Sequence, residues 1–326
     1  MIQKYPPTPS HRFLQEANPV TKPLDLAGII PAVCLPMTAD EQIDEPALRE
    51  YIRWVAGHGI KAVAVNADTG EGPWLYPEER VRVLEIWAEE LNGKIPIIAG
   101  LSGSFTHQAV ALAKQAKKAG ADALLVFPIN AYLGQPCPFE IPFGYHKALA
   151  EEVGMPMVMF QIQPTMGGIN YTEEMFARLL EIPQIVAIKE ASFDCHRFID
   201  TVRILRHAPR RITILTGNDD FIFESFVLGA DGGLLGFATL AINAQVQMLT
   251  LVKQGDILKA QEIWQVIGPL EALVFSPPLR DYRPRTKEAL TMLGIIPRST
   301  IRKPFLTISE AERQRLRQAL KQARLL

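Results

Sequence analysis

The chain is poor in everything that would tie it to a membrane, a nucleic acid or an oxidising compartment. Its 326 residues include only three cysteines, Cys34, Cys137 and Cys195, far apart in sequence. An odd, scattered set excludes a disulfide framework and a CxxC metal or redox signature. Charge of either sign is not in excess: 34 Lys and Arg face 35 Asp and Glu, a formal net charge of -1. No global field therefore draws the protein to nucleic acid or anionic lipid. Apolar runs stop short of the ~18 residues a membrane span needs, and Met1 to Gly28 is polar and proline-bearing, without the apolar core of a secretory signal. The histidines, His11, His58, His107, His146, His196 and His207, show no ligand spacing, so no metal is expected. The expectation is a cytoplasmic protein that meets small molecules and uses neither nucleic acid nor membrane as a partner.

What is present is apolar and rhythmic. Hydrophobic residues make up 48% of the chain and charged ones 21%, enough to build a large core and too much for disorder. From Gly28 onward a short apolar run, a polar loop and a longer segment of helical spacing repeat eight times. The strand candidates are Gly28 to Pro36, Ala62 to Ala67, Pro96 to Ser102, Ala123 to Pro128, Pro156 to Ile162, Ile185 to Ala191, Ile212 to Gly217 and Gly232 to Ala238. Between them Asp44 caps a helix with Leu48, Tyr51, Ile52 and Val55 on one stripe, and Val81, Leu84, Ala88 and Leu91 form another. Eight alternating units, with no G-x-G-x-x-G after the first strand, predict an α/β fold, a (β/α)8 barrel, over a doubly wound sheet.

After the eighth strand only helices follow, at Leu240 to Gly255, Ile257 to Phe275, Arg285 to Gly294 and Ser309 to Leu326, the last with a Ser309–Glu312 capping box. The organisation is then an N-terminal arm (1–27), the barrel (28–240), and the last barrel helix with a C-terminal helical extension (241–326). The basic stretch Arg298 to Leu326 lacks interleaved aromatics and reads as a solvated face.

In such a barrel the loops after the strands gather at one face, so a polar residue at a strand's C-terminal end is a site candidate by position. Lys189 interrupts the run Ile185-Val186-Ala187-Ile188 at such an end. Desolvated in the barrel mouth, it would carry a neutral amine able to attack a carbonyl; pointing outwards, it would be an ordinary structural lysine. Asp68-Thr69-Gly70-Glu71-Gly72 after the second strand offers a hydroxyl, tight backbone and two proton acceptors, or else a turn capping the next helix. Asn130 and Tyr132 after strand four, Phe160, Gln161 and Gln163 on and after strand five, Asn218, Asp219 and Asp220 after strand seven and Gly236 at strand eight complete the candidates.

These residues resemble the dihydrodipicolinate synthase and N-acetylneuraminate lyase family. The likeness runs from Gly28 to about Pro304 and includes Thr69-Gly70-Glu71, Ala99-Gly100, Gly120-Ala121-Asp122-Ala123, Ile188-Lys189-Glu190-Ala191-Ser192, Gly229-Ala230-Asp231-Gly232 and Arg302-Lys303-Pro304. It implies a homotetramer of (β/α)8 barrels and Schiff-base chemistry on 2-oxo acids, without metal or organic cofactor. The chain also departs from the family. Ala67 and Asp68 replace the first Gly and first Thr of Gly-Thr-Thr-Gly-Glu, Phe160 stands where a proton-relaying tyrosine is usual, and the arginine that holds a carboxylate is missing near Thr165 and Met166.

The resulting expectation is a Schiff-base lyase of aldolase type. Lys189 is the nucleophile and only cation at the mouth, Asp68 the general base, and Tyr132 an assisting catalytic group. Thr69, Gly70, Glu71, Phe160, Gln161, Asn218 and Gly236 would bind substrate. Asp68 would disfavour a pyruvate-like carboxylate, unless another subunit or Arg280 supplies a cation, and favour neutral or polyhydroxy carbonyls. A hydro-lyase using the same lysine is the alternative; a non-catalytic carbonyl-binding or regulatory barrel is the reading from another class.

Overall fold

The computed structural model describes residues 24–134 and 136–326; the greater part of the expected N-terminal arm lies outside the described residues. Eight strands follow in chain order: β1 (Ile29–Pro31), β2 (Val63–Val65), β3 (Ile97–Leu101), β4 (Ala123–Val126), β5 (Met157–Ile162), β6 (Ile185–Ala191), β7 (Thr213–Thr216) and β8 (Gly232–Leu235). Each coincides with an expected strand, and all pair in parallel, β1 with β8 and each later strand with its successor. A single parallel bridge, Ala32 to Ala64, closes β1 onto β2 and completes the (β/α)8 barrel.

The strands sort their side chains by parity. Ile30, Ile98, Leu125, Val158, Ala187, Leu215 and Leu234 meet inside the barrel, while Ile29, Ile97, Leu124, Met157, Ile188 and Ile214 join the larger core under the helices. This alternation is what a sheet buried on both faces requires. Leu26, just before β1, is fully buried in the interior cluster.

The covering helices are α1 (Glu45–Ala56), α2 (Pro77–Leu91), α3 (Thr106–Lys118), α4 (Glu140–Val153), α5 (Glu173–Leu179), α6 (Cys195–Arg206), α7 (Ile222–Val227) and α8 (Ile242–Gln254). Asp44 caps α1, its Oδ1 accepting from Ala47 N at 3.2 Å, and the expected stripe of α1 is buried. On α2 the stripe is rotated from the expected one: Val83, Leu84, Ile86, Trp87 and Leu91 are buried, whereas Val81 and Ala88 are half-buried. Trp87 sets the face, packing edge-on to Tyr51 with ring centroids 6.3 Å apart, because the largest apolar surface gains most from burial.

Three further helices, α9 (Ile257–Val274), α10 (Tyr282–Met292) and α11 (Glu310–Gln322), pack on one another after α8, and the Ser309–Glu312 capping box is formed. Helix α10 starts three residues earlier than expected. Pro284 lies in its first turn, where a missing N–H removes no intrahelical bond. The sequence of α10, YRPRTKEALTM, is polar, yet Arg283, Arg285, Lys287 and Glu288 are buried. Each has a partner of opposite charge: Asp68, Glu312, Glu71 and Arg313 respectively.

The Lys287–Glu71 pair is the most enclosed of these, both side chains being essentially inaccessible to solvent. Glu71 also accepts from Arg302 N at 2.9 Å, and Lys287 donates to Thr300 O at 2.7 Å. Removing one partner of such a pair strands a buried charge. Lys287→Met should therefore cost about 3–5 kcal/mol in urea unfolding, and adding Glu71→Gln should recover much of it. A loss under about 1 kcal/mol for the single variant would show that the pair does not hold α10 down.

Candidate active site

The parity of β6 decides where Lys189 points. It is in phase with the inward Ala187 and Ala191, so its side chain enters the barrel from the C-terminal end of the strand. Its strand partner is Phe160 on β5, also inward, and Nζ lies 4.5 Å from the Phe160 ring centroid. On the other side β7 ends in Gly217, where an added Cβ would come within 2.5 Å of Lys189 Cε; only glycine leaves the lysine that path. Lys189 opens into a cavity of about 680 Å³ at the barrel mouth.

The same parity carries the next residues outwards. Gln161 and Glu190, paired across β5 and β6, face the helices, as does Asn218 beyond β7. Gln161 Nε2 donates to Glu190 Oε1 at 3.0 Å and to Thr201 Oγ1 at 2.9 Å, and its Oε1 accepts from Tyr171 N at 2.9 Å. Asn218 Nδ2 donates to Glu190 Oε2 at 2.6 Å. Gln161 and Asn218, expected at the substrate, instead tie β5, β6 and β7 together behind the lysine. Burial raises the pKa of the Glu190 carboxyl, and the hydrogen bonds it accepts oppose that shift.

Asp219 follows Asn218 and turns inwards. It lines the cavity, is almost fully buried, and accepts from Phe237 N at 2.8 Å and Gly236 N at 3.4 Å. Burial pushes its pKa up to about 7 against the pull of those amides and of Lys189. Burial lowers the pKa of Lys189, with Asp219 and then Asp68 opposing. The pair thus approach one another: an acid that gives up its proton late beside an amine that gives it up early.

The loop after β2 divides its residues. Asp68 and Thr69 line the cavity. Gly70 packs against the backbone, its would-be Cβ 2.7 Å from Val33 O. Glu71, in a left-handed turn at φ 57°, points away into its pair with Lys287 and does not line the cavity. Tyr132 is also turned away, buried beside Tyr145 with ring centroids 6.5 Å apart, and burial holds its hydroxyl pKa well above the ordinary value. Its neighbour Asn130 reaches the cavity instead. Gly236 forms part of the wall, where a Cβ would press to 3.0 Å on Phe275 and 3.3 Å on Thr69 Oγ1.

Lys189 is not the only cation at the mouth: Arg280, the exception the sequence allowed, lines the cavity, and so does Arg283, which the sequence reading missed. They come from the segment that folds back over the barrel after α9. Arg283 Nη1 donates to Asp68 Oδ2 at 2.6 Å, and Tyr282 Oη donates to the same oxygen at 2.6 Å. Tyr282 Oη is also 3.3 Å from Thr69 Oγ1. The guanidinium is held between Trp74 and Phe305, 4.4 and 4.5 Å from their ring centroids. Tyr282 and Arg283, more than 200 residues from Asp68 in sequence, thus bring a hydroxyl and a cation to the mouth. Among the described residues no cluster of metal-ligating side chains occurs, and no helix is long and apolar enough to cross a membrane.

A carboxyl with a raised pKa is a linkage statement. Between the ordinary Asp value near 4 and about 7, the folded chain holds a proton on Asp219 that the unfolded chain has released. Folding stability must therefore fall as pH rises through that window. Asp219→Asn should make the fall between about pH 5 and 7 shallower in urea unfolding; an unchanged slope would show that Asp219 titrates normally.

Comparison with known proteins agrees with this architecture. The chain matches the Dihydrodipicolinate synthetase family over residues 25–323. It is 32% identical to a 4-hydroxy-tetrahydrodipicolinate synthase of Maridesulfovibrio salexigens over 290 residues, 88% of this chain and 95% of that one. It is 33% identical to the enzyme of the same name from Nitrosococcus oceani, over 92% of this chain and 99% of that one. The structure of a chloride-inhibited dihydrodipicolinate synthase from Acinetobacter baumannii, complexed with pyruvate, superposes with a TM-score of 0.82 at 30% identity, covering 93% of this chain and 100% of that one. With its family match spanning nearly the whole described chain and its lysine at the end of the sixth barrel strand, the protein belongs to the dihydrodipicolinate synthetase family.

Proposed function

We propose that the protein is a Schiff-base lyase of aldolase type acting on a 2-oxo acid. The observation that carries this reading is Lys189, projecting into the mouth cavity with its pKa lowered by burial. A neutral Nζ attacks the C2 carbonyl; the carbonyl oxygen departs as water and an iminium remains. The iminium then serves as the electron sink when a C–C bond at C3 forms or breaks. The family membership and the names of the relatives support the lyase class.

Thr69, Tyr282 and Asp68 form a continuous hydrogen-bonded chain along the cavity wall. In this reading the chain moves the protons that the missing hydroxyl at Phe160 cannot, with Tyr282 as the group nearest the reacting oxygen and Asp68 as its acceptor. Burial and Asp68 keep the Tyr282 pKa well above its ordinary value, so the phenol stays protonated at rest. Arg283 cancels the charge of Asp68, and Arg280, on the exposed rim with its Nε 3.5 Å from Asp281 Oδ1, keeps its guanidinium terminus for the substrate carboxylate. Asp68, paired in this way, does not repel a 2-oxo acid, which is preferred to a polyhydroxy compound. The proposed assembly is a homotetramer, as the resemblance implies, and sedimentation tests it.

Borohydride with pyruvate should fix a secondary amine on Lys189, seen as an added mass on the peptide that holds it, and Lys189→Ala should lose both adduct and turnover. Turnover that survives in Lys189→Ala sinks the Schiff-base reading. Tyr282→Phe should lower kcat by roughly 10²–10⁴ while trapping persists; near-normal kcat would remove Tyr282 from the proton path.

A further inference from the structure

The cavity over Lys189 has two unlike halves. On the side of β2 and α10 stand hydroxyls and charges: Asp68, Thr69, Tyr282 and Arg283. On the side of β4, β5 and β6 the wall is Phe127, Phe160, Ile162, Met166 and Phe193. Besides Lys189 itself, the polar side chain described on that half is Asn130. Phe127 and Phe160 meet edge to face, with centroids 5.2 Å apart and planes at 88°. Phe127, Ile162 and Phe193 rest on the barrel's interior cluster and are only half-buried, so apolar surface remains open to the cavity.

Phe193 adds an independent sign. Its backbone is held at φ 53°, costly for a residue with a side chain, and its N–H donates to Asn218 Oδ1 at 2.7 Å. Glycine or asparagine would sit there with less strain. The structure keeps a phenyl ring at the rim despite it.

An iminium on Nζ carries two substituents at C2, the carboxylate and the rest of the substrate. The carboxylate belongs with the cations and hydroxyls, which sends the other substituent across Phe160 into the apolar half. Resting on the Schiff-base reading above, we propose that this half is a subsite for an aromatic aldehyde, which the enzyme joins to, or releases from, a 2-oxo acid. In the cleavage direction a 4-aryl-4-hydroxy-2-oxo acid forms the iminium and loses the proton of its 4-hydroxyl. The C3–C4 bond then breaks with its electron pair moving to C3. The aryl aldehyde leaves, the enamine takes a proton at C3, and water releases the 2-oxo acid and the free amine. No oxidant or reductant is consumed. A ring excludes water from Phe127 and Phe160, whereas a carboxylate, ammonium or polyol tail would be desolvated there without partners.

The test uses the full chain with pyruvate as donor and benzaldehyde or glyceraldehyde as acceptor, products being separated by chromatography. Benzaldehyde should show kcat/KM at least about tenfold above glyceraldehyde. Phe127→Ala, and independently the surface-exposed Met166→Asp, should shrink that ratio. Preference for glyceraldehyde, or consumption of neither aldehyde although borohydride traps pyruvate on Lys189, overturns the aromatic subsite. Absence of any pyruvate adduct overturns the Schiff-base reading instead.

Discussion

The mouth of this barrel is organised by the meeting of one acidic loop and one basic helix. Asp68 and Glu71 stand one turn apart after β2, and Arg283 and Lys287 stand one turn apart on α10, so the two spacings match and each acid meets a cation. Glu71, Lys287 and Arg283 are nearly inaccessible to solvent, where an unpaired charge would lose its hydration without return. That requirement presses a polar helix into the protein and lays Tyr282 and Arg283 over the cavity. The chemistry of the mouth is therefore inherited from a structural constraint.

The lysine depends on a second arrangement behind it. Glu190, Gln161, Asn218 and Thr201 form a hydrogen-bonded set on the outer face of β5 to β7, which fixes the register that aims Lys189 inwards. In front, burial lowers the pKa of Lys189, and the charge of Asp219 opposes that shift, while the Phe160 ring lies 4.5 Å from Nζ. Burial favours the amine form of the lysine, the form that carbonyl attack needs.

Several site residues were placed by features a reader of the chain could have used more fully. Alternation along IVAIKEA puts Lys189 in phase with Ala187 and Ala191, and the same alternation along MVMFQI sends Phe160 in and Gln161 out. Asn218 and Asp219, adjacent after β7, likewise part company. A strand has period two, so neighbouring polar residues cannot both reach the cavity. Glu71 was misleading for another reason: a left-handed turn reverses its direction, and the loop's composition does not reveal which residue adopts it.

The sequence by itself determined the eight strands, their parallel pairing and the barrel, because these follow from local periodicity and from the burial of both sheet faces; whether Lys189 points inwards or outwards its spacing left open. It also held the motifs that mark the family. Only the tertiary structure decided what surrounds that lysine. Tyr282 and Arg283 lie more than 200 residues from Asp68 in sequence and hydrogen-bond to it in space, and no periodicity links them. Contacts between distant polar segments are chosen by charge pairing and packing in three dimensions, so the Tyr282 hydroxyl and the two guanidinium groups at the mouth emerge only when the chain has closed on itself.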